Sequence, residues 1–149
     1  MALELGRPTD RKPPFKYASF TRVGFSDTDA QGIVYYGRYL PYFDSARVEY
    51  HRHLGMLIAE PRPHEFVMRA NTIEYHAPAR FDDELEVFVR VRRLGRTSVT
   101  WEFEAWNAAS GEHLATSSQT AVYVADRRPV RVADGMRGAV AAFDTAVES

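Results

Sequence analysis

Cysteine is absent from this 149-residue chain. That excludes disulfide frameworks, thiol nucleophiles and cysteine-ligated zinc together. Neither sign of charge is in excess: nineteen Lys and Arg against twenty Asp and Glu leave a formal net charge of −1. A dedicated nucleic-acid binder usually carries a basic surplus, so that class is disfavoured, although a local basic patch stays open. No apolar run approaches the roughly 18 residues that span a bilayer. The first fifteen residues contain no apolar core of export-signal length, so a soluble, cytoplasmic protein is the expectation. What is present is core material. With 45% apolar and 13% aromatic residues, the chain is too rich in ring and aliphatic side chains for disorder. Its length fits one ordinary domain.

Residues 1–15 are polar and hold Pro8, Pro13 and Pro14, which reads as a flexible leader ahead of a single domain over residues 16–149. Strand formers follow from Lys16 to Phe25, then the turn-forming run Ser-Asp-Thr-Asp-Ala-Gln-Gly. The one long helical stretch covers about Tyr36 to Leu54. Leu40, Phe43, Ala46, Tyr50 and Leu54 recur on it at three- and four-residue steps, which makes an apolar stripe. Pro41 is tolerable only in a first helical turn. Gly55 is a natural stop, and His51, Arg52 and His53 suit the negative end of the helix dipole.

After a loop carrying Pro61 and Pro63, the hydrophobic period changes to two. Strands are expected over Glu65 to His76, Glu84 to Leu94, Thr97 to Ala108 and His113 to Ala125, with a short helix over Asp134 to Val147. In the second strand Leu85, Val87, Val89 and Val91 share a face opposite Glu86, Arg90 and Arg92, which reads as a solvated side. Gly95 and Ser110-Gly111 stand at the hairpins. The order is strand, long helix, then four antiparallel strands. An apolar sheet face needs cover, and one long helix is available to supply it, giving an α+β antiparallel sheet wrapped around a central helix.

The densest polar cluster, Asp27 to Gly32, immediately precedes that helix. As a turn it needs no function, because Asp bonds its own backbone and Gly accepts positive φ. As a site it has the right parts: a carboxylate beside free helix-start N–H groups supplies a base or nucleophile and an oxyanion donor. Metal chemistry finds no support. His51 and His53 point to nearly opposite sides of a helix, Glu49 and His53 lack the His-Glu-x-x-His arrangement, and His76 reads as a packed or capping residue. No serine elbow and no glycine-rich phosphate loop occurs. A second polar group is Arg96, Thr97 and Ser98 beside Gly95, where several donors at one turn could meet a phosphate.

The segment from Phe25 to Tyr50 resembles the 4-hydroxybenzoyl-CoA thioesterase family, acyl-CoA thioesterases of the hotdog fold. It carries Asp27-x-Asp29, Gly32-Ile33-Val34-Tyr35 and an aromatic helix with Ala46-Arg47-x-Glu49. Tyr75, Pro78 and Ala79 are similar to the family's strand end Tyr-x-x-Pro-Ala, and the likeness runs from about Lys16 to Ala125. The resemblance implies Asp29 as the catalytic carboxylate and the Tyr36 backbone N–H as the donor that polarises the thioester carbonyl. Asp27 then becomes support for the turn.

It further implies Arg96, Thr97 and Ser98 at the coenzyme A phosphates. Tyr35, Tyr36, Tyr39, Tyr42 and Phe43 supply aromatic surface beside the Asp29 site, as acyl contacts (Tyr35 and Tyr39 foremost) or as ordinary core packing. No cofactor or metal is implied. The substrate would be a fatty or aromatic acyl-CoA, or an acyl carrier protein, and sites would form between protomers of a homodimer or homotetramer. A hydratase or dehydratase of the same fold and a non-catalytic acyl-CoA-binding protein are the alternatives. Arg38 departs from the family's usual Asn, which leaves open an acidic acyl group, a carrier phosphopantetheine, or solvent as its partner.

Overall fold

The computed structural model describes residues 3–56 and 65–149. The loop expected around Pro61 and Pro63 lies outside the described residues. The elements run β1 (Gly6–Pro8), β2 (Tyr17–Arg22), helix α1 (Tyr39–His53), β3 (Glu65–Tyr75), β4 (Glu84–Leu94), β5 (Ser98–Asn107), β6 (His113–Ala125), β7 (Arg128–Pro129) and helix α2 (Asp134–Phe143). They form one antiparallel sheet in the order β1-β2-β4-β5-β6-β3, with β7 on β6. Among the described residues no helix is long and apolar enough to cross a membrane.

The inner face of the sheet buries Leu85, Val87, Val89 and Val91 of β4 with Val99, Trp101, Phe103 and Ala105 of β5. Helix α1 lies in the same core through Tyr39, Tyr42, Phe43, Ala46 and Tyr50. It begins as a 3-10 turn, Tyr36–Arg38, and becomes α-helical at Tyr39, which leaves Pro41 in the first α-helical turn. Gly55 ends it with φ +75°, a conformation costly for other residues.

The buried face of α1 differs from the expected stripe. Leu40 is exposed, while Tyr39, Tyr42, Arg47 and His51 are buried. Tyr42 and Arg47 qualify because their tips are satisfied, as is that of Tyr50, which stands in the expected stripe. Tyr42 donates to Asp27, Arg47 donates to Gln119 at 2.7 Å, and Tyr50 donates to Asp144.

The outer face of β4 also differs, since it is covered and not solvated. Phe88 is fully buried and Arg90 only 9% exposed. Their cover comes from both chain ends. Phe15 packs on Phe88, Arg11 pairs with Glu86, and Arg90 donates to the Ala146 carbonyl and to Glu102, each at 3.1 Å. Residues 6–15 are therefore held to the sheet and are not the loose segment expected there. Gly6–Pro8 pairs with β2, and burying Phe15 and Phe88 together gives the segment an apolar reason to stay. The last helix stops at Phe143, short of Val147, because Asp144 turns inward to accept the Val91 N–H.

Among the described residues, strand β3 stands at the edge of the sheet, paired with β6 on one side. Phe66, Val67, Met68 and Tyr75 are exposed along it. A long edge strand with apolar side chains exposed is a template for pairing with another strand.

Candidate active site

Asp29 sits in a tight loop closed at both ends. Its N–H donates to the Ile33 carbonyl and its own carbonyl accepts the Gly32 N–H, both at 2.9 Å. Gly32 at φ +78° makes that reversal possible. One Asp29 carboxylate oxygen accepts the Gln31 N–H at 2.8 Å. The other has no hydrogen-bond partner among the described residues. The loop is thus an Asx turn, and it leaves one carboxylate oxygen of the half-buried Asp29 without a partner among the described residues.

Asp27 is occupied. One oxygen accepts both the Gly24 N–H at 2.9 Å and the Tyr42 hydroxyl at 2.8 Å, while the other lies 3.5 Å from Arg38 Nε. Arg38 therefore directs its guanidinium at Asp27, and it does not line the cavity beside Asp29.

That cavity has a volume of about 520 Å³. It brings together Asp29, Tyr35, Tyr36 and Tyr39, and adds Gln31, Tyr75, His76 and Pro78. The N–H of Tyr36 opens the 3-10 turn and has no acceptor among the described residues, as expected at a helix start. Tyr35 and Tyr36 place their rings 4.4 Å apart at the mouth, and Tyr39 stands beneath with its ring edge-on to Tyr75 at 5.6 Å. Burial holds the Tyr39 and Tyr75 phenols above their ordinary pKa, and the neighbouring Tyr36 hydroxyl does so for Tyr35. All three stay protonated and are donors at neutral pH.

Two cavity residues carry weight that the sequence did not give them. Tyr75 donates its hydroxyl to the Tyr36 carbonyl at 2.9 Å, and His76 shares the Thr116 hydroxyl with His113. The Tyr75-x-x-Pro78-Ala79 strand end was the available signal for this wall.

Arg96, Thr97 and Ser98 lie elsewhere in the same chain, in the turn between β4 and β5 and at the first residue of β5. There Gly95 N–H donates to the Ser98 carbonyl and Val132 N–H to the Arg96 carbonyl. The Arg96 side chain is exposed and has no partner among the described residues. Another cavity, about 550 Å³, lies between α1 and β2 and contains none of the expected site residues. No group of three or more His, Asp or Glu is placed to hold a metal ion among the described residues.

Comparisons with known proteins bear on the family and the fold of the chain. The family described as thioesterase superfamily matches residues 31–113. Acyl-CoA thioester hydrolase YbgC of Escherichia coli is 37% identical over 89 residues, which are 58% of this chain and 66% of that protein. The match thus falls just short of two thirds of the relative's length. Among solved structures, the PA5185 protein of Pseudomonas aeruginosa superposes with a TM-score of 0.79 at 26% identity, over 90% of this chain and 95% of that one. The 1,4-dihydroxy-2-naphthoyl-CoA thioesterase Slr0204 of Synechocystis gives the same score at 20% identity, over 85% and 96%. The sheet and its long helix are the hotdog fold of such structures. With more than half of its residues inside the family match, this chain belongs to the thioesterase superfamily.

Proposed function

We propose that the protein hydrolyses the thioester of an acyl-CoA, or of an acyl carrier protein, to a carboxylic acid and a thiol. The single observation that carries this reading is one cavity lined by both a carboxylate with an uncommitted oxygen and the residue whose helix-start N–H has no acceptor. Asp29 takes a proton from water as the water oxygen attacks the thioester carbon, or attacks that carbon itself to form a mixed anhydride. In either route the carbonyl oxygen gains negative charge and the Tyr36 N–H, at the positive end of α1, receives it. The C–S bond then breaks, and the thiolate leaves and is protonated; on the anhydride route a water then opens the anhydride, which releases the acid and restores the Asp29 carboxylate. Tyr35 and Tyr39 offer aromatic surface to the acyl group.

The active form in this reading is at least a homodimer through β3. Ser98 is level with Val122 of β6, which is level with Val67 near the start of β3. Antiparallel pairing of two β3 strands about a two-fold axis sets the Val67 region of one chain opposite the Tyr75 end of the other. Arg96, Thr97 and Ser98 then belong to the partner's cavity. Three strand spacings of about 4.8 Å separate the turn from that cavity. An extended pantetheine arm suits that gap, with its phosphates at the arginine.

A hydratase or dehydratase is the second reading, favoured by one observation: His76 shares the cavity with Asp29, and such chemistry pairs a carboxylate with an imidazole. Release of free thiol from short, medium, long and aromatic acyl-CoAs, and from an acyl carrier protein, is the test. Turnover of any of them is the expected result. Tight binding without thiol release sinks the hydrolase reading, and hydration of an enoyl-CoA in its place establishes the second.

A further inference from the structure

The hydrogen bond from Tyr75 to the Tyr36 carbonyl joins residues 39 positions apart and reaches the segment that carries the candidate oxyanion donor. That segment has little else to hold it. Its 3-10 turn is three residues long, and the Tyr36 side chain is 64% exposed, so it has no anchor in the core. Gly37 follows, and glycine leaves its backbone freer than any other residue would. Upstream, Val34 N–H is tied to the Ala79 carbonyl and Tyr35 N–H to the Asp27 carbonyl. Outside its own helical turn, the hydrogen bond that ties Tyr36 to the rest of the fold among the described residues is the one from the Tyr75 phenol.

Tyr75 is suited to this task. It ends β3, its ring meets the ring of Tyr39 edge-on at 5.6 Å, and Tyr39 is itself buried in the core. The phenol is therefore braced by a rigid element. A hydroxyl has one hydrogen to donate, and here it goes to the peptide carbonyl and not into the cavity.

We propose that Tyr75 is a positioning residue: its hydroxyl fixes the Tyr36 carbonyl, and so keeps the N–H of that residue aimed where the thioester oxygen gains charge. The inference rests on the thioesterase reading above and names a part of its machinery. Donors act on a transition state through placement, and displacements of about 1 Å are enough to cost up to 100-fold in rate. The bond matters more as charge develops than in the ground state, so its loss belongs in kcat.

The test is Tyr75→Phe, which removes the hydroxyl and keeps the ring on Tyr39. The expected result is a fall in kcat of about 10-fold, with KM and melting temperature unchanged. Affinity for a non-hydrolysable ketone analogue of the acyl-CoA, in which a methylene replaces sulfur, should also hold. Tyr75→Leu, lacking ring and hydroxyl, should lose at least as much kcat. Wild-type kcat in Tyr75→Phe overturns the proposal, as does a weaker affinity for the analogue with kcat preserved, which would make Tyr75 a substrate contact. A lower melting temperature with kcat intact overturns it too, since the bond would then serve stability alone. The two levels separate cleanly: an active wild type with an unaffected variant removes only this inference. A wild type that releases no thiol removes the thioesterase reading and the inference together.

Discussion

Tyr42, one turn into α1, donates its hydroxyl to Asp27 at 2.8 Å, and the same carboxylate oxygen accepts the Gly24 N–H. One side chain therefore fastens the segment before the cavity to the helix behind it. Burial and the adjacent carboxylate push the Tyr42 phenol well above its ordinary pKa, so it remains a donor. Tyr42→Phe should destabilise the fold by about 1–2 kcal/mol, the worth of a hydrogen bond to a charged group less what water recovers. Asp27→Asn keeps an acceptor and should cost on the order of 1 kcal/mol. Urea unfolding midpoints measure both. A loss of kcat beyond 100-fold in Asp27→Asn would mean that Asp27, not Asp29, is the reacting carboxylate.

Asp29→Asn should behave in the opposite way. Asparagine keeps the oxygen that accepts the Gln31 N–H, so the turn survives. The basicity is gone, and kcat should fall by at least ~10²-fold, the usual scale for a positioned base. KM, melting temperature and oligomeric state should change little. A single turnover in ¹⁸O-labelled water with enzyme in excess then divides the routes. Label in the Asp29 carboxylate means a mixed anhydride opened at the aspartyl carbon, and label only in the product acid means that water attacked the acyl carbon.

Much of this was legible in the chain because alternation and spacing report local structure directly. The bounds of β4 and β6 coincide with their hydrophobic runs, and Gly55 ends α1 where glycine is needed. The misreadings share a cause: burial supplied from far away in sequence. Nothing within β4 tells that Phe15 and the Ala146 carbonyl will cover Phe88 and Arg90. On α1 a periodicity of apolar letters passes over Tyr42 and Arg47, whose polar tips find partners 15 and 72 residues distant. At the candidate site the Asp29 loop is contiguous and could be read. The Tyr75 contact with Tyr36 is made only when β3 folds back beside the helix start.

His51 gives the fold an acid-sensitive element. It is buried on α1 beside Trp101 and Arg47, and burial, with the Arg47 charge second, lowers its pKa from 6.5 to about 4. The folded state thus prefers the neutral imidazole. Its contribution is complete above pH 6.5, where the unfolded chain is neutral as well, and is lost as pH falls towards 4. The full loss is about 3 kcal/mol, from some 2.5 pKa units at 1.36 kcal/mol each. Asp144 works in the reverse sense: burial raises its carboxyl, so its share of stability declines as pH rises above 3.8. Comparison with His51→Leu isolates the histidine. The variant should lose distinctly less stability than the wild type between pH 7 and pH 4.5 in urea titrations. Equal losses would show that His51 does not titrate in that window.

The proposed sharing of each site between two protomers makes a prediction that only mixed oligomers can test. Arg96→Ala removes an exposed guanidinium that has no partner within its own chain among the described residues. Folding stability should hold, while kcat/KM for an acyl-CoA should drop roughly 10-fold or more, as for a lost charge-assisted contact to phosphate. Each homodimer of Asp29→Asn or of Arg96→Ala is defective at both sites. In a heterodimer of the two variants, Asp29 of one chain and Arg96 of the other both survive at one site, and both are missing at the second. Random co-assembly makes about half the dimers mixed, so about a quarter of all sites should be wild type. Co-expression with separable tags, followed by thiol-release assays on the mixed species, measures this directly. Recovery near that level is expected. If Arg96 instead served the cavity of its own chain, no mixed dimer would contain an intact site, and activity would stay at the level of the two parents.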